Sequence, residues 1–110
     1  MKVYYKPVGG NVFPADVECS LESFQNLVGG YIEFYPITSN LAIVCNEDAK
    51  LKELPYNCTV LRSRFHGNVF LVGRGRDQGD GHYGWKDAPC SFEEAVRLLS
   101  GLIKWREEKS

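Results

Sequence analysis

The feature of this sequence that most constrains its fold is an uninterrupted apolar run from Leu41 to Cys45. A strand with one solvent-facing side alternates between apolar and polar residues, whereas this run has apolar residues at every position. The run therefore predicts a central strand that is covered on both faces. A short Thr-Ser-Asn turn joins it to a preceding strand, which is expected over Tyr31 to Ile37.

The amino-terminal part of the chain predicts a β-hairpin followed by a short helix. Lys2 to Pro7 and Val12 to Val17 have extended patterns on either side of a glycine turn, and Pro14 favours an edge position for the second strand. Ser20 is a typical helix N-cap, and apolar residues recur at helical spacing until Gly29, which can adopt the left-handed conformation that ends a helix. A helix this short needs a sheet to pack against.

The second half of the chain predicts two further strands, a glycine-rich loop and a second helix. The strands are expected over Cys58 to Leu61 and Asn68 to Gly73, and the loop over residues 73–88. A Ser-x-x-Glu capping box then opens a helix that is expected over residues 91–107. The helices are too few and too short for alternating βαβ units. We therefore predict a single α+β domain over residues 1–110, with a mostly antiparallel sheet and two helices packed on one face.

Composition narrows the classes of function. The formal net charge of −1 gives no general attraction to nucleic acid. No segment is apolar enough to span a membrane, and the amino terminus has no signal-peptide pattern, so a cytoplasmic location is expected. The four cysteines have no zinc-type spacing, and in a cytoplasmic protein their thiols are expected to be reduced. No metal and no cofactor is predicted.

Catalytic motifs are absent from the sequence. His66 and His82 are the only histidines, and neither lies in a metalloprotease motif or a Ser-His-Asp pattern. Cys90 with His82 could form a nucleophile and base only if the fold brings them together, because no local motif pairs them. No residue is predicted to be catalytic. An enzyme is therefore disfavoured, although a nucleotide hydrolase with either histidine as general base is kept as an alternative.

Arginine and aromatic residues concentrate in the glycine-rich segment. Arg74 and Arg76 could present guanidinium groups to a phosphate, with Tyr83 and Trp85 close enough in sequence to stack on a nucleobase. The glycines do not match a phosphate-binding loop, and no calcium-loop spacing occurs. A glycine-rich hairpin without a ligand explains the same composition.

Two further segments, Gly29 to Glu33 and Cys45 to Asn57, resemble a known family. They are similar to the small uncharacterised proteins of bacteriophages and mobile elements that are grouped as domain of unknown function 3846. Members pair a G-G-Y-I-E element after a short helix with an N-E-x-x-K-L-x-x-L-P-x-N element after a strand. The resemblance covers residues 1 to about 73, and it departs from the family pattern at Ala49, where glycine is usual.

The resemblance implies a setting rather than an activity. Small phage proteins without enzyme motifs often counter host defence, so the resemblance implies a binding protein that sequesters a nucleotide-derived immune signal in the host cytosol. Asn46, Glu47, Lys50 and Asn57 cluster in the family motif and are candidate ligand-binding residues beside the arginine and aromatic segment. Turn formation is the competing explanation for both asparagines, because their side chains readily bond their own backbone in loops.

Two other expectations concern partners. A homo-oligomer would help such a protein, because a pocket shared between subunits encloses more of a ligand than a shallow face does. The alternative to ligand capture is a protein–protein inhibitor or adaptor of a host defence protein, which would use the flank of the last helix around Leu98 and Trp105.

Overall fold

A computed structural model describes residues 1–77 and 83–100; for Arg76, Asp77 and Tyr83 it describes the backbone but not the side chain. Within these residues the chain forms eight strands and two helices. In chain order they are β1 (Lys2–Lys6), β2 (Phe13–Asp16), α1 (Leu21–Val28), β3 (Ile32–Thr38), β4 (Leu41–Asn46), β5 (Tyr56–Val60), β6 (Ser63–His66), β7 (Val69–Asp77), β8 (Tyr83–Lys86) and α2 (Phe92–Leu99). None of the described helices is long and apolar enough to cross a membrane.

The strands form an antiparallel six-stranded sheet and a separate two-stranded hairpin. Five strands of the main sheet lie in the order β2-β1-β7-β4-β3, and β8 also pairs with β7. The β5 and β6 strands pair only with each other. The prediction of an α+β fold with a mostly antiparallel sheet is therefore confirmed. Pro14 lies in β2 at the edge of the sheet, as its missing N–H predicts.

The two helices pack on opposite faces of the main sheet, so the prediction that both lie on one face is wrong. Phe24 and Val28 of α1 share a buried cluster with Ala42 and Val44. On the other face, Leu99 of α2 shares a cluster with alternate β4 residues such as Ile43. All six residues of β4 are buried. The apolar run requires this arrangement, because alternate residues of a strand point to opposite faces of the sheet and here both sets are apolar and must be buried.

The β5–β6 hairpin completes the layer on the α2 side of the sheet. Cys58, Val60 and Phe65 are buried in the same cluster as Leu99. Leu98 is also buried there, at 4 % exposed, so the expected exposed flank of the last helix does not include it. Trp105 and the rest of the helix predicted to residue 107 lie outside the described residues.

Helix ends follow the predicted capping. Ser20 accepts a hydrogen bond from the backbone N–H of Ser23 at the start of α1, and Gly29 ends that helix with a φ of 79°. The capping box of α2 is complete: the Ser91 hydroxyl accepts from the backbone N–H of Glu94, and the Glu94 carboxylate accepts from that of Ser91.

Two strands were missing from the sequence prediction. The β6 strand follows a two-residue turn at Leu61 and Arg62, whose φ angles are 50° and 73°. The segment over residues 73–88, predicted as a glycine-rich loop, is largely the β7–β8 hairpin, with residues 78–82 outside the described part. Gly73 is required at the open end of this hairpin, opposite Lys86, because a Cβ there would clash with the carbonyl oxygen of Asp87.

Candidate functional site

A cleft of about 250 Å³ lies at the end of β4, between the main sheet and the β5–β6 hairpin. The loop after β4, residues 47–55, forms one of its walls. The cleft therefore joins three parts of the chain that are separated in sequence. Its lining consists of Glu33, Tyr35, Cys45, Asn46, Glu47, Ala49, Lys50, Leu51, Ser63, Arg64, Phe65 and His66.

Acidic side chains lie on the sheet side of the cleft. Glu33 on β3 stands directly opposite Cys45 on β4 in the antiparallel register. Glu47 follows Cys45 by two residues, and its backbone N–H donates to the carbonyl oxygen of Tyr31, which continues the pairing. Because residues two apart share a face, Glu33 and Glu47 project from the same side of this sheet corner. We call these two carboxylates the acidic floor.

Tyr35 connects the floor to the β6 strand above it. Its ring packs edge-on against Phe65, with ring centroids 5.2 Å apart. The Ser63 hydroxyl donates to the Tyr35 hydroxyl oxygen at 2.8 Å. Since Ser63 supplies that hydrogen, the phenolic hydrogen of Tyr35 is left to donate to another acceptor, and the cleft lies beside it.

His66 faces the cleft with one ring nitrogen already bonded to the backbone. Its Nδ1 lies 3.1 Å from the carbonyl oxygen of Leu54. A carbonyl oxygen only accepts, so Nδ1 carries a hydrogen and Nε2 is the ring nitrogen left for a ligand. The ring also packs edge-on against Tyr56, which restricts its orientation.

Arg64 and Lys50 line the cleft together with His66, and we call these three residues the basic wall. The Arg64 guanidinium lies 5.0 Å from the centre of the Tyr56 ring, a cation–π contact that leaves its N–H donors available. Lys50 is exposed on the loop. None of the charged side chains in the cleft forms an ion pair with another residue in the described part of the chain.

Cys45 lines the cleft but is not a nucleophile. Burial, reinforced by the negative charge of Glu33, raises the pKa of its thiol to about 12. Its Sγ lies 3.6 Å from the Glu33 carbonyl oxygen, to which the thiol can donate. At neutral pH the thiol is therefore protonated, and only the thiolate attacks electrophiles. All four cysteines carry free thiols.

The family-motif residues divide between the cleft and another part of the molecule. Asn46, Glu47 and Lys50 all line the cleft. The Asn46 amide is already used, because it donates to the Val28 carbonyl oxygen and accepts from the Asp48 backbone N–H. Asn57 does not line the cleft. Its amide donates to the carbonyl oxygens of Lys6 and Gly67, so it ties β5 to β1 and to the turn after β6.

The arginine and aromatic segment lies away from the cleft. Arg74 stands opposite Trp85 in the β7–β8 pairing, next to Gly73, which pairs with Leu41 at the start of β4. The cleft is at the other end of β4, about 17 Å along the strand. Trp85 stacks on Phe34 with ring centroids 3.9 Å apart, within the cluster on the α1 face. Arg76 and Tyr83 lie in β7 and β8, but their side chains are outside the described part.

The sequence prediction missed most of the lining contributed by β3 and β6. Tyr35, Ser63 and Arg64 had no motif to mark them. Glu33 ends the G-G-Y-I-E element but was not among the candidate ligand-binding residues, and His66 was considered only as the general base of the alternative hydrolase. The alternation of Ser63 to His66 is a weak strand signal that would have placed Ser63 and Phe65 together on one face of β6. Among the described residues, no group of three or more His, Cys, Asp and Glu side chains is arranged to hold a metal ion.

Comparison with known proteins gives one family. The family model described as Domain of unknown function (DUF3846) matches residues 1–83. The match includes every residue that lines the cleft and stops before α2. No curated protein and no solved structure matches the chain.

Proposed function

The chain belongs to the DUF3846 family, and from the geometry of the cleft we propose that it is a non-catalytic binding protein for a small, phosphate-bearing, nucleotide-derived ligand. The observation that carries this proposal is the basic wall of Lys50, Arg64 and His66, which faces an acidic floor without forming ion pairs to it in the described structure. Guanidinium, ammonium and imidazole groups are the side chains that most often hold phosphate.

The acidic floor favours a ligand that also carries hydrogen-bond donors. Ionised Glu33 and Glu47 can only accept, and a simple inorganic anion would be repelled by them. A nucleotide offers both kinds of group, a phosphate for the wall and the N–H donors of its base and sugar for the floor. The Tyr35 hydroxyl, between the two, can donate to either part.

The size of the cleft limits the ligand. At about 250 Å³ it is slightly smaller than the roughly 300–1,000 Å³ typical of pockets that bury drug-sized molecules. A mononucleotide, or one nucleotide unit of a larger signal such as a cyclic dinucleotide, is therefore the preferred size. A second copy of the chain over the cleft would enclose more of a larger ligand, so dimerisation on ligand addition belongs to the proposal.

Binding without turnover fits the groups in the cleft better than hydrolysis does. The pKa of Cys45 keeps that thiol protonated. His66 bonds through Nδ1 to a backbone carbonyl rather than to a carboxylate that would support a general base. In the phage setting that the family resemblance implies, capture of an intact immune signal in the host cytosol would blunt a defence response.

The test is a thermal-shift screen against mononucleotides, cyclic dinucleotides, cyclic trinucleotides and ADP-ribose derivatives. A ligand at about 100 times its Kd stabilises the folded state by roughly 2.7 kcal/mol. For a domain of this size that raises Tm by on the order of 10 °C. We expect one nucleotide class to produce the shift and to be recovered intact after the protein is denatured.

Two other outcomes would contradict the proposal. Conversion of the nucleotide to a product, detected by chromatography, would identify a hydrolase with His66 or His82 as the first base to mutate. A flat response across the whole panel would favour the protein–protein inhibitor, which a pull-down with a defined defence protein would then test.

A further inference from the structure

Asn46 differs from every other polar residue that the structure describes, because it alone is buried. Its side chain is 3 % exposed. Burying an amide costs free energy unless its donors and acceptor are bonded, so its partners show which parts of the chain it joins. Those partners are the Val28 carbonyl oxygen, at 3.1 Å, and the Asp48 backbone N–H, at 2.8 Å.

The two bonds join the end of α1 to the start of the cleft loop. Val28 is the last residue of α1, where carbonyl groups have no partner within the helix. Asp48 is the second residue of the loop that supplies Lys50 to the basic wall. The neighbouring Glu47 N–H bonds to the Tyr31 carbonyl oxygen at 2.9 Å, which fastens the loop a second time.

Gly30 gives Asn46 the space that it occupies. A Cβ at this position would lie 2.9 Å from the Asn46 Nδ2 atom and 3.2 Å from the Lys52 ammonium nitrogen. The first of these distances is shorter than side chains tolerate, so any residue larger than glycine would displace the Asn46 amide. The G-G-Y-I-E element and the N-E-x-x-K element thus meet at this contact as well as at the bond between Tyr31 and Glu47.

We infer that Asn46, with Gly30, is a positioning residue for the cleft: it holds the loop so that Glu47 and Lys50 face the β6 strand, and it does not itself contact the ligand. The expected effect of Asn46 on ligand affinity rests on the proposed function. The two motif elements then share one task, which is the geometry of the loop, and ligand contact is left to the side chains that the loop carries.

Two variants disturb the contact from opposite sides. Asn46→Asp keeps an acceptor for the Asp48 N–H but replaces the donor to Val28 with a second oxygen. Gly30→Ala keeps the amide and crowds it. Gly84→Ala is the matched control, because nothing lies within 4 Å of a Cβ at that glycine. Each variant is examined by hydrogen exchange and by titration with guanosine and adenosine monophosphate.

For both variants we expect the amides of residues 47–54 to exchange about tenfold faster, as the loss of one buried hydrogen bond implies, with the β4 and β7 amides unchanged. We expect the affinity for the bound mononucleotide to fall by up to about tenfold, because the altered loop misplaces Glu47 and Lys50, and Gly84→Ala to match the wild type in both measurements. Faster loop exchange with unaltered affinity would overturn the positioning inference, and so would unaltered loop exchange in both variants. If the wild type binds neither mononucleotide nor any other member of the thermal-shift panel although the exchange result is as expected, the proposed function fails and the link between Asn46 and the loop stands.

Discussion

Cys45 and Cys58 are buried thiols whose chemistry the fold has altered. Burial raises the pKa of Cys58 to about 11, with nearby Lys6 opposing the change, and that of Cys45 to about 12. Both values exceed the ordinary thiol value of 9.0. Above about pH 9 the unfolded chain loses thiol protons that the folded chain keeps, so the folded state is progressively disfavoured as the pH rises.

This sign gives a prediction for alkaline stability. Between about pH 9 and pH 11 we expect the free energy of unfolding to fall by up to about 1.4 kcal/mol per pH unit for each buried thiol. Denaturant unfolding of wild type and Cys45→Ala across this range checks it. Cys45→Ala should show the shallower decline, whereas a Cys19→Ala control, which removes an exposed thiol, should parallel the wild type. If the free energy of unfolding falls equally steeply with pH in all three proteins, the raised pKa of Cys45 is contradicted.

Residue type alone predicted the burial of Cys45 but not the tasks of the two asparagines. The sequence indicated a choice between ligand binding and turn chemistry for Asn46 and Asn57. In the structure the Asn46 amide oxygen accepts from the backbone N–H two residues on, as turn formation predicts. The other bonds of the two amides to backbone groups reach 10 to 51 residues along the chain. Bonds of this range depend on how the elements pack, so no local pattern could identify those partners.

Among the elements, the β5–β6 hairpin shows why a strand was missed. Two-residue hairpins favour turns in which both central residues have positive φ, and Asn-Gly is the usual signal. Here those positions are Leu61 and Arg62. Since side chains other than glycine rarely adopt such angles, nothing in the sequence marked a turn, and the strand that carries Arg64 and His66 had no predicted start.

The same turn predicts a stabilising substitution. Arg62 is exposed and has a φ of 73°. Replacing it with glycine relieves the left-handed strain, and we expect a gain of about 1 kcal/mol in the free energy of unfolding, less the entropy that glycine adds to the unfolded chain. Arg62→Ala removes the same guanidinium but keeps a Cβ, so it should not stabilise. Urea denaturation compares the two, and an equal effect in both would show that the charge matters and the backbone angle does not.

The helices show what amphipathic patterns leave open. Spacing and caps located α1 and the start of α2, because those signals are local. An apolar stripe shows that a helix packs on something, but it does not say on which face of a sheet. The apolar run in β4 carried that information, since a strand buried on both sides needs a layer on each.

On the scale of the whole molecule, the cleft exists because separate elements meet at one corner of the sheet. The family motif marked Glu47 of the acidic floor and Lys50 of the basic wall, which are close in sequence. The rest of the basic wall comes from Arg64 and His66, which the β5–β6 hairpin brings to the cleft. The sequence also predicted ligand-binding residues in the arginine and aromatic segment around Arg74. That part of β7 lies at the other end of β4, away from the cleft.

That separation makes the site of binding testable with two matched variants. Lys50→Ala/Arg64→Ala removes two positive charges from the cleft, and Arg74→Ala/Arg76→Ala removes two from the β7–β8 hairpin. Each charged hydrogen bond to phosphate contributes about 1.5–3 kcal/mol, so losing two should weaken binding by 100-fold or more, on the order of 3 kcal/mol.

The measurement that tests most directly whether the ligand binds in the cleft is isothermal titration. The two variants and the wild type are titrated with the nucleotide that gives the largest thermal shift. We expect the cleft variant to lose about 100-fold or more in affinity while its Tm in the absence of ligand stays close to that of the wild type. The hairpin variant should bind within about threefold of the wild type, an energy difference of under 1 kcal/mol. If the hairpin variant loses binding and the cleft variant keeps it, the ligand binds at the arginine and aromatic segment and the cleft is not the site.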